Sequence, residues 1–204
     1  MPSLYLHEVT ASYDGRRVVG PLSLQTKPDE CVVLVGESGA GKSTLLDIIY
    51  QELRSKAAFI PQELGLVQSL TVFHNVFMGR LSQHSAWYNL ANLVKPMRKE
   101  SQDVLLILAA IDLDDKIWSS AGELSGGQKQ RTAVARAIFQ KADMLVADEP
   151  CSALDGPMAD KVMKTLVTAY PTAIIALHDI ELALRYGQRI VGIKDGLIAL
   201  DEAS

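Results

Sequence analysis

The chain has 204 residues, 48% of them apolar and 22% charged, and a formal net charge of −4. This length suits one domain, with room for a sub-lobe and a sizeable core, and the acidic balance excludes the basic footprint of a nucleic-acid binder. Cys31 and Cys151 make neither a disulfide framework nor a metal cluster, so a reducing compartment is expected.

In chain order, "SLYLHEV" and "VVGPLSLQT" pattern as strands near the N-terminus. "CVVLV", Cys31 to Val35, is a continuous β-branched run of the kind that forms a strand buried on both faces. A glycine loop then opens a helix from Lys42 to Leu53, and "AAFI" reads as a further buried strand stopped by Pro61. From Thr71 to Ala121 the signal turns helical, with "SQDVLLILAAI" as its clearest amphipathic piece. Strands return at Met144 to Ala147 and Thr172 to Leu177, separated by the helix "PMADKVMKTLVTAY". "RIVGIKDGLIAL" is a hairpin turning at Lys194-Asp195-Gly196. The sum is an α/β protein: a three-layer core with a mostly parallel sheet and a helical insertion. The boundaries fall near 1–62 and 138–204 for the core and 63–137 for the lobe. No leader pattern opens the chain and its apolar runs are too short to cross a bilayer, so it is expected to be soluble by itself.

Gly36-Glu37-Ser38-Gly39-Ala40-Gly41-Lys42-Ser43 fits G-x-x-x-x-G-K-S/T between a buried strand and a helix. The glycines let backbone N–H groups curl around a phosphate. Lys42 reaches the β- and γ-phosphates, and Ser43 offers a hydroxyl to Mg²⁺. "MLVADEP" sets Asp148 and Glu149 at the C-terminal end of an apolar strand, the edge where ligands sit in parallel sheets. Asp148 is placed to hold Mg²⁺, and Glu149 to orient or deprotonate an attacking water. A second phosphate-type feature stands at "ELSGGQKQRTAVARA". There Ser125 caps a helix whose first residues, Gly126 and Gly127, leave the backbone N–H groups bare.

The loop Gly36–Thr44, "LSGGQ" at Leu124–Gln128, "LVADEP" at Leu145–Pro150, "SALD" at Ser152–Asp155 and His178 follow one another in a telling order. In that order, and over essentially its whole length, the chain resembles the ATP-binding cassette (ABC) ATPases, a P-loop NTPase family. The resemblance implies ATP and Mg²⁺ as cofactors, with Gly36 to Thr44 around the phosphates and Ser43, Gln62 and Asp148 on the metal. It implies Glu149, His178 and Gln62 as the catalytic set, His178 as a switch at the γ-phosphate and Gln62 as the sensor of a membrane partner. Tyr13 in "ASYDG" is similar to the aromatic that stacks on adenine, or is an ordinary strand-end tyrosine. In this family Ser125, Gly126, Gly127 and Gln128 cap the γ-phosphate held by the other subunit, which explains why one chain carries two phosphate features. A head-to-tail pair completes both under two-fold symmetry, so a homodimer, or a pair with a closely similar cassette, is implied.

"NVFMGRL" followed by Ser85-Ala86-Trp87, with "LHDIELALRYGQRIVGIKDG" at the C-terminal end, is similar to the ATPases of phosphonate-type importers. That likeness implies an integral-membrane permease, a periplasmic or extracellular solute-binding protein and a peripheral place on the cytoplasmic side of the inner membrane. Trp87 and Tyr88 either line the groove that receives the permease or belong to the core of the helical lobe. An export-system cassette is the alternative; a DNA-repair or translation ABC ATPase lacks support, because long heptad repeats, a second cassette and basic patches are missing. Two departures from the family pattern stand out, and a third expectation follows from the hairpin. The segment from Lys42 to Gln62 is short, which predicts a trimmed antiparallel lobe. Cys151 stands where Thr or Ser is usual, and no regulatory domain is expected after the hairpin.

Overall fold

A computed structural model describes residues 3–203, the side chains of Tyr13 and Ser55 excepted. In chain order, β1 (Tyr5–Tyr13) and β2 (Arg16–Gln25) pair antiparallel, and β3 (Cys31–Val35) leads through the glycine loop into α1 (Lys42–Leu53). A 3-10 turn at Arg54–Lys56 delivers the chain directly to β4 (Ala57–Ile60). Then come α2 (Val72–Phe77), α3 (Ala86–Val94), α4 (Arg98–Ala110) and α5 (Gly126–Gln140). The remaining elements are β5 (Met144–Asp148), α6 (Gly156–Ala169), β6 (Ala173–Ala176), α7 (Ile180–Tyr186), β7 (Arg189–Lys194) and β8 (Leu197–Ala203).

The described residues divide into a sheet unit, made of the chain up to Gln62, Ala142–Ser152 and the chain from Val167, and a helical unit, Glu63–Lys141 with Ala153–Leu166. The sheet unit carries a six-stranded sheet in the order β4-β5-β6-β3-β7-β8, parallel except for the β7–β8 hairpin at its edge. The small antiparallel sheet is the two-stranded β1–β2 pair, the trimmed lobe that the short Lys42–Gln62 segment predicts. β5 and β6 are buried along their whole length and β3 at all but its last residue, as their unbroken apolar runs require. Leu45, Leu46 and Ile49 of α1 join Val32, Val146 and Ile174 in one apolar cluster. Each such side chain contributes about 1.5–3 kcal/mol on leaving water.

Register is what positions the site. Leu34 of β3 lies opposite Ala176 of β6, and Asp148 of β5 lies opposite the same Ala176. The residues just past these three strand ends, Gly36, His178 and Glu149, therefore emerge side by side at the C-terminal edge of the sheet. α7 follows at once. It starts at Asp179, whose carboxylate accepts the N–H groups of Glu181 and Leu182 at 2.8 and 3.1 Å. This seven-residue helix is too short to leave a periodicity signal in the sequence.

In the helical unit the region from Thr71 to Ala121 holds three separate α-helices, with 3-10 turns at Met78–Gln83 and Asp114–Lys116. Thr71 caps α2 and Ser85 caps α3 through their hydroxyls. Phe73, Phe77, Val104, Leu108, Val134 and Phe139 are buried there. Trp87 and Tyr88 part company: Trp87 is 82% exposed, whereas Tyr88 is half-buried and its hydroxyl donates to Glu100 at 2.8 Å.

Candidate functional site

The loop from Gly36 to Gly41 has its own backbone scaffold. The Ala40 N–H donates to the Glu37 carbonyl at 3.2 Å, while Glu37, Ser38 and Gly39 are exposed at the tip. Gly41 is the N-cap of α1 at φ 100°, and a Cβ there would meet the Val18 carbonyl at 2.8 Å. Only glycine fits both the angle and the approach. With no side chain to cap it, α1 opens with its first N–H groups offered to a ligand. Lys42, 5% exposed, folds over the loop and donates from Nζ to the carbonyls of Gly36 (2.8 Å) and Glu37 (3.0 Å). A phosphate in the loop would offer Nζ charged acceptors in place of these neutral ones.

The loop is braced from a distant part of the chain. Gly196, at the tip of the β7–β8 hairpin, donates its N–H to the Ala40 carbonyl at 3.0 Å and accepts the Gly20 N–H at 2.7 Å. A Cβ on Gly196 would stand 2.2 Å from the Val18 carbonyl. Sequence reasoning missed this residue as part of the site, although its Asp-Gly turn was visible.

Ser38, Lys42, Ser43, Thr44, Gln62, Glu149 and His178 line one cavity of 180 Å³. So the structure gathers the phosphate loop, Gln62 and the residues after β5 and β6 around a single space. Glu149 sits at φ 51°, a left-handed conformation that costs a non-glycine residue about 1–2 kcal/mol. Its N–H donates to the Ala176 carbonyl at 3.1 Å and its own carbonyl accepts the Ser152 N–H at 3.3 Å. Those two bonds hold the turn and aim the carboxylate at the cavity. His178 Nε2 lies 2.6 Å from Glu149 Oε1, so the imidazole and the carboxylate share one contact. That contact fixes the direction of the carboxylate relative to the ring.

Asp148 is 4% exposed, and its Oδ1 is buried with no hydrogen-bond partner among the described residues. A carboxylate oxygen in that condition is costly unless a cation meets it. Asp47 on α1 feels the same field: burial, and secondarily the Asp148 charge, raise its pKa above the usual carboxylate value. The donor set fits Mg²⁺, which takes one or two carboxylates together with substrate phosphates rather than an all-protein cage. Ser43 and Asp148 are the residues that would hold it, with Gln62 as a further candidate; bound there, it would supply positive charge against the phosphates.

Burial pushes both thiols, Cys31 and Cys151, up to about 12, with the Asp179 charge a further cause at Cys151. They are packing residues. The backbone of Tyr13 ends β1, and its side chain is outside what is described. A separate hollow of 740 Å³ runs past His178 between α7, β7 and β8, lined by Leu177, Ile180, Leu184, Ile190 and Leu200. It is mostly apolar and shares Gly36, Glu37 and His178 with the phosphate-loop side of the sheet edge.

In the helical unit, Ser125 caps α5 (Gly126–Gln140) in a closed box. The Ser125 hydroxyl accepts the Gln128 N–H at 3.3 Å, and the Gln128 side chain accepts the Ser125 N–H at 2.9 Å. Ser125 and Gly126 are exposed.

The family model described as ABC transporter matches residues 19–152, a span running from β2 to just past Glu149. The chain belongs to the ABC transporter family. Within that family it is an ATP-hydrolysing cassette. It is 35% identical to the phosphonates import ATP-binding protein PhnC of Lactobacillus acidophilus, over 98% of this chain and 89% of that protein. It is 34% identical to the phosphonates import ATP-binding protein PhnC 1 of Pseudomonas syringae, over 94% of this chain and 82% of that one. Among solved structures it is similar to the dimeric bacterial ABC transporter cassette MJ0796, with a TM-score of 0.85 and 26% identity, covering 98% and 97% of the two chains. The same cassette in a post-hydrolysis dimer bound to ADP and Pi matches with a TM-score of 0.84 and 27% identity, again over 98% and 97%. Among the described residues, no helix of this ABC chain is long and apolar enough to cross a membrane.

Proposed function

We propose that this chain is the motor subunit of an importer for phosphonate or a related oxyanion. The observation that carries the reading is the cavity where Lys42, Ser43, Gln62, Glu149 and His178 converge, with a buried, unpartnered carboxylate oxygen on Asp148, the residue before Glu149. The names of the relatives favour import over export and supply the solute class. Gly36 to Thr44 wrap the phosphates of ATP, Tyr13 stacks on adenine, and Ser43, Gln62 and Asp148 take Mg²⁺. Glu149 is the base for the attacking water, and His178 holds the γ-phosphate end in place. Ser125, Gly126, Gly127 and Gln128 close over the ATP of a second copy, so the working form is a homodimer.

In this reading the core around residues 1–62 and 138–204 does the chemistry, and the lobe around 63–137 presents the lid and meets the permease. Trp87 stands with the exposed Leu90, Leu93 and Val94 on α3, beside a groove of 310 Å³ lined by Leu70, His74, Phe77 and Leu81. That apolar face suits a permease helix, and an importer's motor that draws on ATP works as a peripheral subunit on the cytoplasmic side of the inner membrane. A solute-binding protein completes the system; nucleic acid has no part in it. The test is copurification with the multispan permease encoded for the same system, reconstituted in vesicles. ATP turnover should rise when a phosphonate-loaded binding protein is added. Copurification with a permease that no binding protein stimulates would favour an exporter.

A further inference from the structure

Residues 63–70 of the helical unit form neither helix nor strand, yet side chains grip them at close intervals. Arg136 of α5 donates from one guanidinium nitrogen to the Gly65 carbonyl at 2.9 Å and from another to the Leu64 carbonyl at 2.5 Å. Asn75, fully buried, accepts the Val67 N–H at 2.8 Å, and the Ser120 hydroxyl donates to the Gln68 carbonyl at 2.8 Å. The Arg136 contact differs from the others in two respects. It is a charged, two-point fork, and burial pulls the guanidinium pKa below its ordinary value, a mark of desolvation. It is also the grip nearest to Gln62, seizing the backbone two and three residues further on.

The helix that supplies it also carries the Ser125–Gln128 box at its other end, about 16 Å away at 1.5 Å per residue. Between the two, Gln130 is 3% exposed and accepts the Ala153 N–H at 2.7 Å, which fixes the start of "SALD" to the same rod. One helix thus meets the loop leaving Gln62, the loop leaving β5 and the phosphate lid.

We propose that Arg136 is a positioning residue for ATP hydrolysis: it ties the backbone at Leu64 and Gly65 to the helix that presents Ser125, so the setting of the Gln62 loop and that of the lid move together. The inference rests on the roles given to Gln62 and Ser125 under the importer reading. It differs from a simple brace in what it predicts.

Arg136→Lys keeps the charge and loses the planar fork. In a Glu149→Gln parent, the variant should bind Mg-ADP within about twofold of the parent and melt within a few degrees of it. Its Mg-ATP-driven dimer should be weaker by about tenfold or more, the scale of a charged hydrogen bond. Gly65→Ala attacks the contact from the other side. Its Cβ meets nothing closer than the Glu63 carbonyl at 3.8 Å, but φ 58° strains it and displaces the gripped carbonyl. This variant should weaken the dimer too, and the two substitutions together should cost clearly less than the sum of their separate effects. Unchanged dimerisation of Arg136→Lys overturns the proposal, as does full additivity with Gly65→Ala. A loss of Mg-ADP affinity and melting temperature in step with the dimer also overturns it, because that marks a brace. A parent that fails to dimerise on Mg-ATP overturns the lid reading itself, and the proposal with it.

Discussion

The two helices that begin with a phosphate-type motif solve their N-terminal problem in opposite ways. α1 starts at Gly41 with no side-chain cap, whereas α5 starts at Ser125 inside a closed capping box. Each helix end leaves N–H groups without an intrahelical acceptor. At α1 those groups wait for a ligand inside a loop braced by Gly196 and Lys42. At α5 the protein's own Ser125 and Gln128 have already satisfied part of the demand. One end is built to hold a phosphate whenever it is present. The other is stable without one, and under the proposed function it would serve as a lid that engages only when a second copy brings its nucleotide.

The largest effects should come from removing the Glu149 base and then breaking the lid, with the loop left alone. Glu149→Gln keeps the side chain's size and loses the base, so hydrolysis should fall by about two or more orders of magnitude while ATP still binds. Size-exclusion chromatography of that variant should show a dimer with Mg-ATP and a monomer with ADP. Adding Ser125→Arg fills the α5 end and should abolish the dimer, with ATP binding at Lys42 retained. Dimerisation of the double variant on ATP would show that α5 is no lid.

Next in size is the loop itself. Lys42→Ala removes the cation that lies over the Gly36 and Glu37 carbonyls, and should cost about 1.5–3 kcal/mol of Mg-ATP binding in a calorimetric titration. An equal affinity for wild type and variant would move the phosphate site elsewhere.

The same contrast separates the parts of the site that are legible in the amino-acid sequence from those that are not. The phosphate loop, the β5 carboxylates and the Ser125 cap are local patterns, written in consecutive residues, and their chemistry reads directly. The Gly196 brace joins Ala40 to a turn far along the chain, and the Arg136 fork joins α5 to residues 64–65. Neither leaves a periodic or spaced signal, because a backbone carbonyl accepts from any donor that folding brings near. The left-handed φ of Glu149 is hidden for a related reason. Glutamate does not advertise that conformation as glycine does; the bonds to Ala176 and from Ser152 impose it. Trp87 and Tyr88 are adjacent aromatics in sequence, and only packing separates the exposed ring from the one bonded to Glu100.

A third variant asks whether the open end of α1 is a matter of geometry. Serine is the better N-cap in ordinary helices. At Gly41, with φ 100° and the Val18 carbonyl 2.8 Å from any Cβ, Gly41→Ser should instead destabilise the protein by about 1–3 kcal/mol in urea unfolding. An unchanged or higher midpoint would mean that α1 tolerates a cap and that its bare start is incidental.

The smallest effect belongs to the closed end. Ser125→Ala deletes the hydroxyl that accepts the Gln128 N–H and leaves the reciprocal bond between the Gln128 side chain and the Ser125 backbone in place. Loss of a serine cap costs about 1 kcal/mol, which for a chain of this size is about 2–4 °C in melting temperature. The shift should appear in the nucleotide-free protein, because the box is complete without a phosphate. Saturating Mg-ADP should not remove it, since the nucleotide sits on the chain's own α1 loop rather than on α5. A melting curve identical to wild type would mean that water satisfies the α5 start as well as Ser125 does. The difference between the two helix ends would then lie in the α1 loop alone.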